Sequence, residues 1–210
     1  MLRSNNILVL SPHTDDGELG CGGTISKYIQ HGANVHYIAF STCRQTLASH
    51  LPEDSLISEC KVATNALGIP ENNLHIYDYE VRRFSESRQE ILELLINISK
   101  LLKPEIVFLP AKGDVHQDHQ VIYQEGSRAF KFCNILGYEL PWNNKSFQPN
   151  YFSRLTHTDV KKKAEALSHY LSQKHRNYMQ EEFVQSLAKV RGVQSNTDFA
   201  EAFECYHFAE

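Results

Sequence analysis

Two short stretches of the 210-residue chain concentrate side chains that can hold a metal and move protons. The first, SPHTDDGELGCGGT (Ser11 to Thr24), sets His13, Asp15 and Asp16 beside Gly17, Gly20, Gly22 and Gly23. The second, DVHQDH, holds Asp114, His116, Asp118 and His119. Neutral imidazole and carboxylate are both zinc ligands, and a catalytic zinc site leaves one position open for water. A carboxylate beside the metal can take a proton from that water. Adjacent aspartates can divide the ligand and base duties, because neighbouring side chains point in different directions. Either stretch alone reads equally well as the polar chemistry of a tight loop. Together, each after an apolar run, they point to a metal site split between two parts of the chain.

The elements that must bring them together follow from periodicity. Ile7 to Leu10 reads as a buried strand, and Leu19, Ile25 and Ile29 mark one face of a helix stopped at Gly32. NVHYIAF, Asn34 to Phe40, is a second strand, rich in β-formers. Leu56, Cys60, Ala63 and Leu67 follow helical spacing up to Gly68 and Pro70, and LHIYD is a third strand. Ser87 and Glu90 match a capping box for a helix with the stripe Ile91, Leu95, Ile98 and Leu102. EIVFLP is the fourth strand, followed by a helix from about Asp118 to Lys131. Strand–helix–strand order at this spacing implies parallel pairing with right-handed crossovers, and the short apolar strands suit a sheet covered on both faces. The expected fold is a Rossmann-like three-layer α/β sandwich with a mostly parallel sheet. Ligands in such sheets bind beyond the carboxyl ends of the strands. Both polar clusters fall there, so they meet if the first and fourth strands are neighbours.

The rest is less regular. GYELPWNNKSFQPN, Gly137 to Asn150, reads as a loop-rich insert carrying Trp142. Residues 159 to 191 read as two helices broken around SQKHRN, and ECYHFA as a final edge strand. Without repeats or a linker, one domain over 1–210 is expected.

Bulk properties narrow the classes. A net charge of -4 argues against nucleic acid as a partner. MLRSNN and the ILVL run after it are too short for a signal-peptide core or a membrane span. Cys21, Cys43, Cys60, Cys133 and Cys205 are scattered without a Cys-x-x-Cys pair, which fits a reducing cytoplasm. GCGG lacks the spacing of a dinucleotide fingerprint or a P-loop, so its glycines are read as allowing close helix packing. No Gly-x-Ser-x-Gly elbow supports a serine nucleophile. Arg82 and Arg83, in YEVRRF, follow the third strand at the same sheet edge. They read either as a solvated loop pair or as a fork for an anionic part of a substrate.

PHTDDGELGCGGT with HQDH resembles the PIG-L/LmbE-like zinc-dependent de-N-acetylases, as do LSQ, KVRGVQ and FAEAF near the end of the chain. The resemblance implies that His13, Asp16 and His119 bind zinc, or another divalent cation such as Fe2+, and that Asp15 is the general base. His116 would stabilise the oxyanion or protonate the leaving amine, with Asp118 orienting it. Thr14 and Gln117 stand where the family carries proline, and Gly17 where an acidic residue is common, leaving Glu18 as the nearby carboxylate. The implied activity is removal of an acetyl group from an N-acetylated amino-sugar conjugate. Homo-oligomers are common in the family. Two alternatives stand beside this reading. One is hydrolysis of another bond on the same metal, such as a thiol-conjugate amide or a phosphoester. The other is a non-catalytic nucleotide-binding module.

Overall fold

A computed structural model describes residues 6–209, so most of the MLRSNN lead lies outside the described residues. The strand–helix alternation read from the sequence is present. β1 (Asn6–Ser11), α1 (Asp16–Gln30), β2 (Asn34–Ala39), α2 (Ser55–Leu67) and β3 (Leu74–Ile76) form the first half. α3 (Arg88–Leu102), β4 (Ile106–Pro110), α4 (Gln117–Ala129) and β5 (Asn134–Tyr138) follow. β6 (Tyr151–Leu155), α5 (His157–Ser168), α6 (Glu181–Gln194) and β7 (Phe199–His207) complete the chain. They build a mixed α/β fold around one seven-stranded sheet of order β3-β2-β1-β4-β5-β7-β6. The first five strands are parallel, and β7 runs antiparallel to both of its neighbours.

Alternation along β1 shows why the sheet needs cover on both faces. Ile7 and Val9 face a core shared with α1, α2, α5 and α6, whereas Leu8 and Leu10 face one shared with α3 and α4. Successive strand side chains point to opposite faces, so an almost wholly apolar strand must be buried twice.

Three local expectations are corrected. Ser87 precedes α3 but makes no side-chain capping bond, because a 3-10 turn over Phe84–Ser87 runs straight into the helix. Ser87 therefore has φ -103° and ψ 16°, not the extended backbone a capping serine uses. A capping box forms instead at Thr156 and Asp159, at the start of α5. Neither β5, within which the insert begins, nor β6, just after its end, is anticipated from sequence. β6 takes the edge, so the final strand is interior, between β5 and β6.

α1 is bent at Cys21, whose φ of -144° is non-helical. The backbone groups freed by the bend are satisfied by a buried ion pair from distant sequence. Glu201 on β7 accepts from the Gly23 and Thr24 amides at 3.0 and 2.7 Å. Lys163 on α5 donates to the Leu19 carbonyl at 2.6 Å and to Glu201 at 2.7 Å. Ahead of the bend, a Cβ at Gly20 would lie 2.3 Å from the Tyr138 ring. The glycine is what lets the helix that starts at the site rest directly on β5.

Candidate active site

β1 and β4 are hydrogen-bonded parallel neighbours, so the two polar clusters open onto the same edge. His13, Asp15 and Asp16 lie where β1 turns into α1, and Asp114 to His119 where β4 turns into α4. Serine and tyrosine hydroxyls hold the first turn. Ser11 Oγ accepts from the Gly17 amide at 2.9 Å and from the Tyr37 hydroxyl at 2.9 Å. A Cβ at Gly17 would sit 2.6 Å from that tyrosine ring, which explains why this chain has no acidic residue there.

His13, His116 and His119 form a cluster able to hold a metal ion. A tighter triangle lies within the site. His13 Nδ1 is 3.2 Å from His119 Nε2, and Asp16 Oδ2 is 3.1 Å from each. Bonds of zinc length at tetrahedral angles separate ligand atoms by about 3.3 Å, so these three atoms fit one face of a zinc site. The far nitrogen of each ring is also engaged. His13 Nε2 lies 3.0 Å from Asp118 Oδ2, and His119 Nδ1 lies 2.7 Å from Asp114 Oδ2. A carboxylate behind each imidazole fixes the tautomer that turns the other nitrogen to a metal.

His116 differs from them. Its Nδ1 accepts the Asp118 amide hydrogen at 3.2 Å, so the ring can present a neutral Nε2–H. Burial, with the positive charge of His119 and His13, pushes it down to about 4. Burial would also lower His119, but Asp16 and Asp114 outweigh it and lift this ring to about 10. Asp16 is held well below the usual carboxylate range: burial opposes this, and His119 and His13 prevail. Asp15 goes the other way, to about 6, through burial and then the adjacent Asp16 charge. Among the described residues, the Asp15 carboxyl has no side-chain hydrogen-bond or ion-pair partner, unlike Asp16, Asp114 and Asp118.

The site opens into a cavity of about 480 Å³, and Asp15, Arg82, His116, Trp142, Arg176 and Tyr178 are among its walls. Residues 8–130 match the PIG-L family, described as GlcNAc-PI de-N-acetylase. The chain belongs to the PIG-L family. A relative, the uncharacterized deacetylase YaiS of Escherichia coli, is 27% identical over 157 residues, covering 71% of this chain and 82% of that protein. Diacetylchitobiose deacetylase of Thermococcus kodakarensis is 25% identical over 137 residues, 61% of this chain and 50% of that protein. This chain thus spans half the length of that second relative. N,N'-diacetylchitobiose deacetylase from Pyrococcus horikoshii superposes with a TM-score of 0.80 at 21% identity, covering 98% of this chain and 87% of that one. GalB, the 4-carboxy-2-hydroxymuconate hydratase of Pseudomonas putida, superposes with a TM-score of 0.78 at 19% identity, covering 98% of each chain. A hydratase and a deacetylase on one fold mean that the reaction must be argued from the site.

Within this PIG-L chain, the residues expected from sequence do not all lie where expected. His13, Asp15, Asp16, His116 and His119 converge. The Asp118 carboxylate turns to His13 and stands 4.0 Å from the nearer His116 nitrogen, because α4 places its first-turn side chain beneath the β1 loop. Arg82 lines the cavity, while Arg83 turns outward to Glu80 and Glu86. Asp114 belonged to the second cluster without an assigned part. It now braces His119, and its other oxygen accepts the His116 amide at 2.8 Å. Arg176 and Tyr178 were missed altogether, since SQKHRN signalled only a break between helices. Among the described residues, no helix is long and apolar enough to cross a membrane.

Proposed function

We propose that this chain removes the N-acetyl group from an N-acetylated amino-sugar conjugate, with zinc held by His13, Asp16 and His119. The carrying observation is the donor triangle beside Asp15, in a family of de-N-acetylases. A bound zinc ion supplies a Lewis acid for the amide carbonyl and lowers the pKa of water. Asp15, the carboxyl at the site without an ion-pair partner among the described residues, takes the proton as water adds to the carbonyl carbon. His116 donates its Nε2–H to the oxygen that becomes negative as the carbon turns tetrahedral, a contact worth most in that state. The Asp118 amide at Nδ1 keeps that hydrogen on Nε2. Asp15 then returns its proton to the amide nitrogen, the C–N bond breaks, and a free amine and acetate leave. Asp118 and Asp114 hold the two imidazoles throughout.

Other expectations continue as proposals. The Rossmann-like reading is supported by the parallel order β3-β2-β1-β4-β5, and one domain over 1–210 by the sheet that joins both halves of the chain. A cytoplasmic location is supported by five free cysteines.

Acetate release by the zinc-loaded protein over N-acetylated sugars tests the function. Asp15→Asn should keep zinc and lose most turnover, and wild-type turnover by that variant would refute the base assignment. No acetate from any N-acetylated sugar would refute the activity itself.

A further inference from the structure

Among the described residues, two arginines that line the cavity have no acidic partner. Elsewhere, Arg44, Arg83, Arg88, Arg128 and Arg191 each form an ion pair with a carboxylate. The Arg82 guanidinium has no ion-pair or hydrogen-bond partner among the described residues. Arg176 touches only neutral groups: its Nε donates to Gln173 Oε1 at 2.6 Å and one terminal nitrogen to the Tyr178 hydroxyl at 2.5 Å. Its charge reaches Asp15, yet no ion pair joins them. Guanidinium groups left unpaired around a cavity suit a fork for an oxyanion.

Arg82 is also held in an unfavourable backbone conformation. Its φ is +70°, in the left-handed region where a non-glycine residue costs about 1–2 kcal/mol. Its amide donates at 2.6 Å to Asp118 Oδ2, the oxygen that also meets His13 Nε2. The backbone of Arg82 is therefore anchored one carboxylate away from the metal-binding histidine. Any residue except proline supplies that amide, and glycine or asparagine would supply it with less strain. Strain retained beside a site points to use of the side chain. Lining the same cavity, Trp142 and Tyr178 stack at 3.9 Å with 9° between their planes, and Arg176 lies over the tyrosine ring. This wall joins a flat apolar surface to a cation.

We propose that Arg82 and Arg176 form an anion-recognition subsite, so that the acylated amine processed at the metal carries a phosphate or carboxylate elsewhere on the same molecule. The subsite rests on the de-N-acetylation reading for the rest of the substrate. The anion lies against the two guanidiniums, and the Trp142–Tyr178 wall covers the face of the sugar between anion and amide.

Trp142 is the sole tryptophan, so its fluorescence reports occupancy without turnover. Zinc-loaded protein is titrated with N-acetylglucosamine 1-phosphate, N-acetylmuramic acid and the neutral N,N'-diacetylchitobiose, and acetate release is measured separately. At least one anionic sugar should bind about tenfold or more tightly than the neutral one, the range of a charge-assisted contact. The phosphate and carboxylate arms show which anion is preferred. Arg82→Gln and Arg176→Gln should each abolish most of that preference, read as the ratio of anionic to neutral sugar affinity within each variant. Among the described residues Arg154 also lacks a carboxylate partner, and it does not line the cavity, so Arg154→Gln should change nothing. Equal binding of neutral and anionic sugars overturns the subsite. So does a preference that survives both cavity substitutions, which would put the anion on the metal. Arginine-dependent binding with no acetate released from any sugar sinks the de-N-acetylation reading and leaves the subsite standing.

Discussion

Replacing Asp118 with asparagine tests the tertiary wiring of the site. Asp118 Oδ2 meets His13 Nε2 at 3.0 Å and the Arg82 amide at 2.6 Å, while Oδ1 accepts the Phe84 amide at 3.3 Å. All three partners donate. An asparagine has one acceptor oxygen, so in either orientation its NH2 faces a donor. With the oxygen toward His13 and Arg82, the buried Phe84 amide loses its acceptor, at about 1–3 kcal/mol. In the proposed zinc site, loss of the negative charge also makes His13 a weaker ligand, and removing such a supporting carboxylate lowers metal affinity by about 10–100-fold, or roughly 1.4–2.7 kcal/mol. Competition with a chromogenic chelator at fixed pH should show that drop in zinc affinity for Asp118→Asn. Urea unfolding of the metal-free protein should show the separate stability loss. If Asp118 instead served His116 alone, turnover would fall while zinc affinity stayed at the wild-type value. That pattern would refute the wiring.

Three further outcomes are expected. Burial lifts the Glu18 carboxyl to about 8, against the hydroxyls of Tyr37 and Tyr170 that reach its oxygens. A carboxyl raised above its unfolded value of 4.5 contributes stability fully below that pH and loses it as pH rises through about 8. Metal-free wild type should therefore lose stability relative to Glu18→Gln across this window, by on the order of 4 kcal/mol, and parallel urea profiles would rule this out. Glu201→Ala leaves the buried Lys163 ammonium without its counter-charge and two amides of the bent α1 without an acceptor. It should reduce unfolding free energy by about 3–5 kcal/mol, and a loss below about 1 kcal/mol would show that the bend does not depend on the pair. Gly20→Ala should destabilise by about 1–3 kcal/mol because its methyl meets the Tyr138 ring; an unchanged urea midpoint would contradict that packing.

The framework of the site was legible in the chain itself. Apolar runs such as ILVL and IVFLP, alternating with helical stripes, imply parallel strands, and parallel strands send their carboxyl ends to one edge. That order places SPHTDDGELG and DVHQDH at one edge, and the pairing of β1 with β4 brings them together. β5, β6 and the interior place of β7 escaped, because short strands bordering a loop-rich insert carry little periodicity.

The sequence by itself therefore determined which side chains could do the chemistry and at which edge they would gather. Tertiary structure decided how they are wired. It turned Asp118 to His13 instead of His116, put Asp114 behind His119, and left Asp15, among the described residues, without an ion-pair partner. It sent Arg82 into the cavity while its neighbour Arg83 turned to solvent, and delivered Arg176 and Tyr178 from the break between α5 and α6. The physical reason is that periodicity encodes which face of an element is buried. Partner choice within a loop instead depends on backbone path and rotamer, which only packing from distant parts of the chain sets.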